Sequence, residues 1–375
     1  MINKKKLEKV GITLIKKFSR LETNRLSAII SNKLCKSFPE YGFKKLDLFS
    51  MISKLDMYYA NFEDCSAAKY DYKNNSIYFN NSIKLTKLET PAIHECLHFI
   101  QTVKTKKGKL KRLGLFEYNT INKVGMIINE ASVQLMASFI EKNNYESVKY
   151  YDLEFYTTSP NYYPIECSLV SQMAYFTGTY PLFHSTIYSN DIFKNTFIVK
   201  SSKSTYLTIS KNLNLLVKLQ EEIHNEILLL SKIEYKKSIQ CQNRIQYLKN
   251  EIKNITLKTQ ELILTTCSYS DLELIKNLND IKELKNKLYK FQKLIIFSDE
   301  YTFFNDFYIK MMKELDKKRE LIQKYGTLEV YKEIPEYLSL IETRPKALNL
   351  FNIFEKKLKE IFKLHYEKQK QRKIS

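Results

Sequence analysis

The 375-residue sequence has no tryptophan, only 7 glycines and 7 prolines, and no long apolar run. No stretch approaches the ~20 apolar residues that a membrane-spanning helix needs. The opening Met1-Ile2-Asn3-Lys4-Lys5-Lys6 leads into amphipathic sequence broken by Lys16, Lys17 and Arg20, so no secretory leader is expected. The six cysteines, at 35, 65, 96, 167, 241 and 267, form no CxxC pair, which argues against a zinc ribbon or a disulfide framework. These absences lead to the expectation of a cytoplasmic protein with reduced cysteines.

Arginine is also scarce beside lysine. The formal charge of +20 invites a nucleic-acid reading, but the bidentate guanidinium fork that reads phosphate and guanine is mostly missing. Abundant Lys, Asn, Ile and Tyr with little Gly is the bias of an AT-rich coding sequence. Nucleic acid is therefore not the expected partner. Hydrophobic types make up 44% of the chain, enough for a sizeable core, and the length suggests two or three units.

Leu14, Phe18 and Leu21, followed by Leu26, Ile29, Ile30 and Leu34, carry helical spacing, so residues 1–60 are expected to be supporting helices. Residues 68–72 and 76–80 read as two strands around the turn Lys73-Asn74-Asn75. Thr90 then offers an N-cap and Pro91 a first helical position ahead of Ile93, Leu97 and Ile100. A basic loop is expected over 104–112. A second helix is expected from near Thr120 through Val124, Ile128, Ala131 and Leu135. Residues 150–197, with Pro160, Pro164 and Pro181, read as loops joined by short helices that could wall a cleft. Beyond 205, Ile245, Leu248, Ile252 and Ile255, then Leu274, Leu278, Ile281, Leu288 and Phe291, predict a coiled-coil-like helical hairpin over 205–298 with its tip near 265–270. That hairpin could recruit a protein partner, and covering its own apolar stripe within the chain is the simpler expectation. More helix is expected over 299–375.

His94-Glu95-Cys96-Leu97-His98 is HExxH. Residues four apart share a helix face, so both imidazoles can hold one Zn2+ ion while Glu95 approaches the water beside it. With five histidines in the chain, chance alone gives this pattern roughly once in two hundred such sequences. A catalytic zinc site takes a third protein ligand. Glu130, in Asn129-Glu130-Ala131, is the best candidate; His184 and His224 are alternatives. Gln134, one turn later, could bond a ligand histidine. Cys96 points away from the histidine face and is expected in the core. Tyr162, Tyr163 or His184 could steady an oxyanion.

A strand pair, a helix with HECLH, a connecting loop and a helix with INEASVQ resemble the gluzincin branch of the zincin metallopeptidases over about residues 65–140. The resemblance implies a zincin-like domain over 61–204 with a small antiparallel sheet; with the long helical C-terminal region read from the apolar spacing, the expected fold is α+β, predominantly helical. It implies His94, His98 and Glu130 as zinc ligands, Glu95 as catalytic base, a peptide or protein substrate, and the strand around Ile77 to Phe79 as the edge along which that substrate pairs. In the family an acidic residue commonly follows the glutamate ligand by one turn; here it is Gln134. The alternative readings are a helical scaffold with a structural or vestigial metal site, and a zinc hydrolase of a non-peptide substrate.

Overall fold

In the computed structural model, residues 4–64, 66–83, 88–118, 123–232 and 235–328 are described. Contacts group Met1–Thr327 into one compact unit and Leu328–Ser375 into a second. The helix expected at the far C-terminus falls, from 329 on, outside the described residues, as do Cys65 and Thr120. The described part is mainly helical with small sheets, and none of its helices is long and apolar enough to cross a membrane.

The chain opens with helix α1 (Lys4–Glu8) and strand β1 (Ile12–Lys17), then α2 (Arg20–Ser37), α3 (Lys45–Ile52) and β2 (Asp56–Phe62). The helix expected through Leu14 and Phe18 is thus a strand. The reason is local: Ser19 accepts from the Glu22 N–H while the Glu22 carboxylate accepts from the Ser19 N–H, a capping box that starts α2 at Arg20. Leu21, counted in the apolar series, is exposed.

Strands β3 (Ala68–Asp71) and β4 (Ser76–Asn80) form the expected hairpin, with Asn75 in the left-handed region at φ 49°. The sheet order is β1-β2-β4-β3, and β2 runs parallel to β4, so the sheet is mixed and not purely antiparallel. Ile77 and Phe79 face the main core and Tyr78 the opposite face, as strand alternation requires. The strand of Ile77 to Phe79 therefore lies inside the sheet, with β3 as the edge beside it and β1 as the edge on the far side.

Helix α4 (Glu89–Ile100) packs on β3 and α2. It begins at Glu89, so Thr90 is not its cap; the Thr90 hydroxyl instead donates to Glu141 at 3.3 Å, and Pro91 still falls in the first turn, where no intrahelical N–H is needed. The basic segment 104–112 is a hairpin of β5 (Thr102–Lys104) and β6 (Leu110–Leu113), followed by β7 (Phe116–Glu117). Helix α5 (Met126–Glu141) lies against α4. Lys33 of α2 bonds Glu89 at 2.6 Å and Glu141 at 2.8 Å, fastening the start of α4 to the end of α5.

Strands β8 (Glu146–Tyr150) and β9 (Leu153–Thr157) pair, and α6 (Pro164–Thr177), α7 (Thr179–Tyr188) and α8 (Ile192–Lys200) follow almost without interruption. The segment expected as loops joined by short helices thus has the helices, longer and with shorter connections than expected, and opens with a strand pair. Pro164 and Pro181 sit in first turns, where proline starts helices and breaks none.

Helices α9 (Lys203–Leu230) and α10 (Tyr235–Glu273) form the long hairpin, with α11 (Leu278–Phe291) and α12 (Phe303–Tyr325) packed beside α10. The hairpin turns after Leu230, not at 265–270, which lies inside α10. There Cys267 and Ser268 are buried and the Thr266 hydroxyl donates to the Leu262 carbonyl. Tertiary burial holds those weak helix formers in place.

Candidate metal centre

Helix α4 carries His94 and His98 one turn apart on the face toward α5, and α5 presents Glu130 to them. The His94 and His98 Nε2 atoms are 3.0 Å apart, and Glu130 Oε2 lies 3.2 Å from His98 Nε2 and 3.6 Å from His94 Nε2. A tetrahedral ion with bonds of about 2.0–2.1 Å spaces its ligand atoms about 3.3 Å apart, so the three donors have the separations such an ion requires. Two lone-pair nitrogens and a carboxylate converging this closely also repel one another unless a cation or a proton lies between them. The three residues are the one group among the described residues able to hold a metal ion.

Each imidazole is held from behind. His94 Nδ1 lies 3.0 Å from Gln134 Oε1, and His98 Nδ1 lies 2.6 Å from the Gln101 amide. Gln101 Oε1 is buried without a partner, whereas rotating this amide by half a turn gives His98 Nδ1–H an acceptor. The backbone carbonyl of Gln101 accepts from the Ser189 hydroxyl, which also accepts from the Gly114 N–H at 2.9 Å. Gly114 is in the left-handed region at φ +55°, and a Cβ there would sit 2.0 Å from Asn129 Oδ1 and 2.2 Å from Gln101 Oε1. Glycine is needed for the space as well as for the backbone conformation.

The electrostatics follow from this packing. Burial alone would raise the Glu130 pKa, but His98 and His94 together hold it well below the usual carboxylate range. Burial pulls the His98 pKa down, and the charge and hydrogen bond of Glu130 outweigh it, leaving it above the ordinary imidazole value.

Glu95 projects from the same helix toward the edge strand, where its Oε2 accepts the Tyr70 N–H at 2.8 Å. A cleft opens beside it, lined by Ser66, Ala68, Pro91, His94, Tyr162 and Tyr163 among others. In the β3–β4 ladder the Ala67 carbonyl accepts from the Asn80 N–H, so by alternation the Ala68 and Tyr70 backbone groups face away from β4. Tyr163 precedes α6 in the left-handed region at φ 51°. Burial, then the charges of Glu130, Glu166 and Glu95, push its phenol pKa up, so it remains a donor. Tyr162 also lines the continuation of the cleft past Ser159 and Asn143.

The structure thus brings His94, Glu95, His98, Glu130 and Gln134 together, with Tyr162 and Tyr163 on the cleft wall. His184 does not join them: it packs among Tyr41, Tyr180 and Tyr188, bonds Asn190, and burial lowers its pKa to about 4. His224 lies on α9, outside the triad. Cys96 is in the main core, where burial keeps its thiol protonated. Sequence reasoning missed Gln101, Gly114 and Asn129. Gln101 follows His98 by three residues, a spacing that puts neighbours on one helix face and could have flagged it.

Comparison with protein-family models, with curated proteins and with solved structures finds no match.

Proposed function

We propose that this protein is a zinc-dependent hydrolase of peptide bonds. The observation that carries the reading is the triad of His94, His98 and Glu130 at tetrahedral ligand spacing, with Glu95 beside it at the mouth of a cleft. Zinc held by these three side chains would supply Lewis-acid polarisation of a carbonyl and a water acidified toward neutrality. Glu95 takes the proton of the attacking water and returns it to the leaving amine. The Tyr70 N–H keeps the Glu95 carboxylate turned toward the edge strand. Tyr163, still protonated and facing Glu130 and Glu95, donates to the oxyanion that develops on the carbonyl. The outward backbone groups of Ala68 pair with an extended peptide, which lays a scissile bond across the cleft.

Elemental analysis of purified wild type beside His94→Ala and Glu130→Ala tests the metal. One zinc per chain in wild type, lost in both variants, is expected; folded wild type that takes up none, even with zinc added, would sink the reading. Glu95→Gln is expected to keep the zinc and abolish cleavage in a peptide-library screen.

A further inference from the structure

The two imidazoles of the triad share an unusual feature: the group behind each is a neutral carboxamide. A histidine that binds a metal through Nε2 carries its proton on Nδ1, and the acceptor of that proton tunes the ligand. A carboxylate there draws the proton toward itself, makes Nε2 a stronger donor and adds a negative charge a few ångströms from the ion. A carboxamide oxygen orients the ring and does neither. Gln134 Oε1 meets His94 Nδ1 at 3.0 Å, and the Gln101 amide, turned by half a turn as above, faces His98 Nδ1 at 2.6 Å. Both glutamines are buried, at 4% and 1% exposure, so water does not substitute for them. Asn129, the other amide of this shell, has its oxygen on the Leu115 N–H at 3.0 Å and is neutral too. Of the anions near the triad, Glu130 is itself a ligand and Glu95 is turned to the Tyr70 N–H.

We propose that the carboxamide pair makes this an exchangeable metal site, and that Gln134 is the positioning residue that sets how tightly the ion is held. The inference rests on the zinc reading above and adds regulation to it: occupancy, and with it activity, follows the free metal concentration. The charge argument gives it a direction. Gln134 lies one turn beyond Glu130 on α5, and its side chain already reaches His94 Nδ1. Gln134→Glu places a carboxylate on the same atom with the same reach, converting a neutral acceptor into an anionic one. Gln134→Leu removes the acceptor and leaves the Nδ1–H buried without a partner.

The test is the zinc dissociation constant of the full-length protein, measured by competition with a chromophoric chelator, for wild type, Gln134→Glu and Gln134→Leu. Gln134→Glu is expected to bind about tenfold tighter and to release zinc to chelator more slowly; Gln134→Leu is expected to bind about tenfold weaker or worse. Circular dichroism of the metal-free forms checks that each has folded. If metal-free Gln134→Glu does not fold, because its new charge faces Glu130, Gln134→Leu together with Gln101→Leu reads the same dependence in the opposite direction. Zinc-binding wild type with an unchanged constant in folded Gln134→Glu would overturn the exchangeable-site inference alone. Wild type that binds no zinc would remove both this inference and the reading beneath it.

Discussion

Glu166 has no exposed surface; Gln220 of α9 donates to its Oε1 at 2.6 Å, and its Oε2 has no partner. Burial raises its pKa from 4.5 to about 7, against the smaller opposing pull of its own backbone N–H and Gln220. Between those two values the folded protein holds a proton that the unfolded chain has lost, so stability falls as pH rises and the loss is complete above about 7. Urea denaturation at pH 5 and pH 8 is expected to show a loss of about 2.5 kcal/mol in wild type that Glu166→Gln does not share; parallel pH profiles would refute this. Gly114→Ala brings a Cβ against Gln101 and Asn129 at a left-handed φ. It is expected to cost about 2 kcal/mol of stability and to weaken metal binding, both read on one purified variant. His94, Glu95 and His98 were legible because a single helix encodes their spacing, and Glu130 because an Asn-Glu pair marks it. Gly114 and Asn129 were not: their roles come from contacts between segments, which no local spacing records.

At the scale of elements, residues 68–80 were readable as a hairpin because its turn chemistry and its apolar residues agree. Which strand forms the edge was not, because that depends on the parallel pairing of β2 with β4, made across the intervening chain. Leu14, Phe18 and Leu21 fall at helical spacing by accident, although residues 12–17 are a strand, because the Ser19–Glu22 capping box starts the helix only at Arg20. In the hairpin, small polar residues at 265–270 imitated a turn that burial overrules. The edge assignment makes a prediction. Proline removes a donor, and on an edge whose N–H faces outward it leaves the ladder intact. Ala68→Pro is therefore expected to retain fold and zinc content while peptide cleavage falls on the order of tenfold in kcat/KM. Unchanged kinetics would place the substrate elsewhere.

For the molecule as a whole, every residue of the candidate site lies within the compact unit Met1–Thr327. A chain ending at Thr327 is expected to fold and to take up zinc with the stoichiometry of full-length protein; failure to fold would show that the later residues complete the core. Because the proposed ligands come from α4 and α5, whose contact face belongs to the main core, an ion bound there would stabilise the fold. Removing zinc with a chelator is expected to lower the melting temperature of wild type and to leave that of His94→Ala unchanged.

The hydrogen bond from the Tyr70 N–H to Glu95 has a consequence for precision. A peptide paired on β3 and the carboxylate that acts on it would be referenced to one datum, as a workpiece and a tool clamped to the same rail. On the reading proposed above, movement of the strand would carry both together, and the separation that governs proton transfer would be insulated from it.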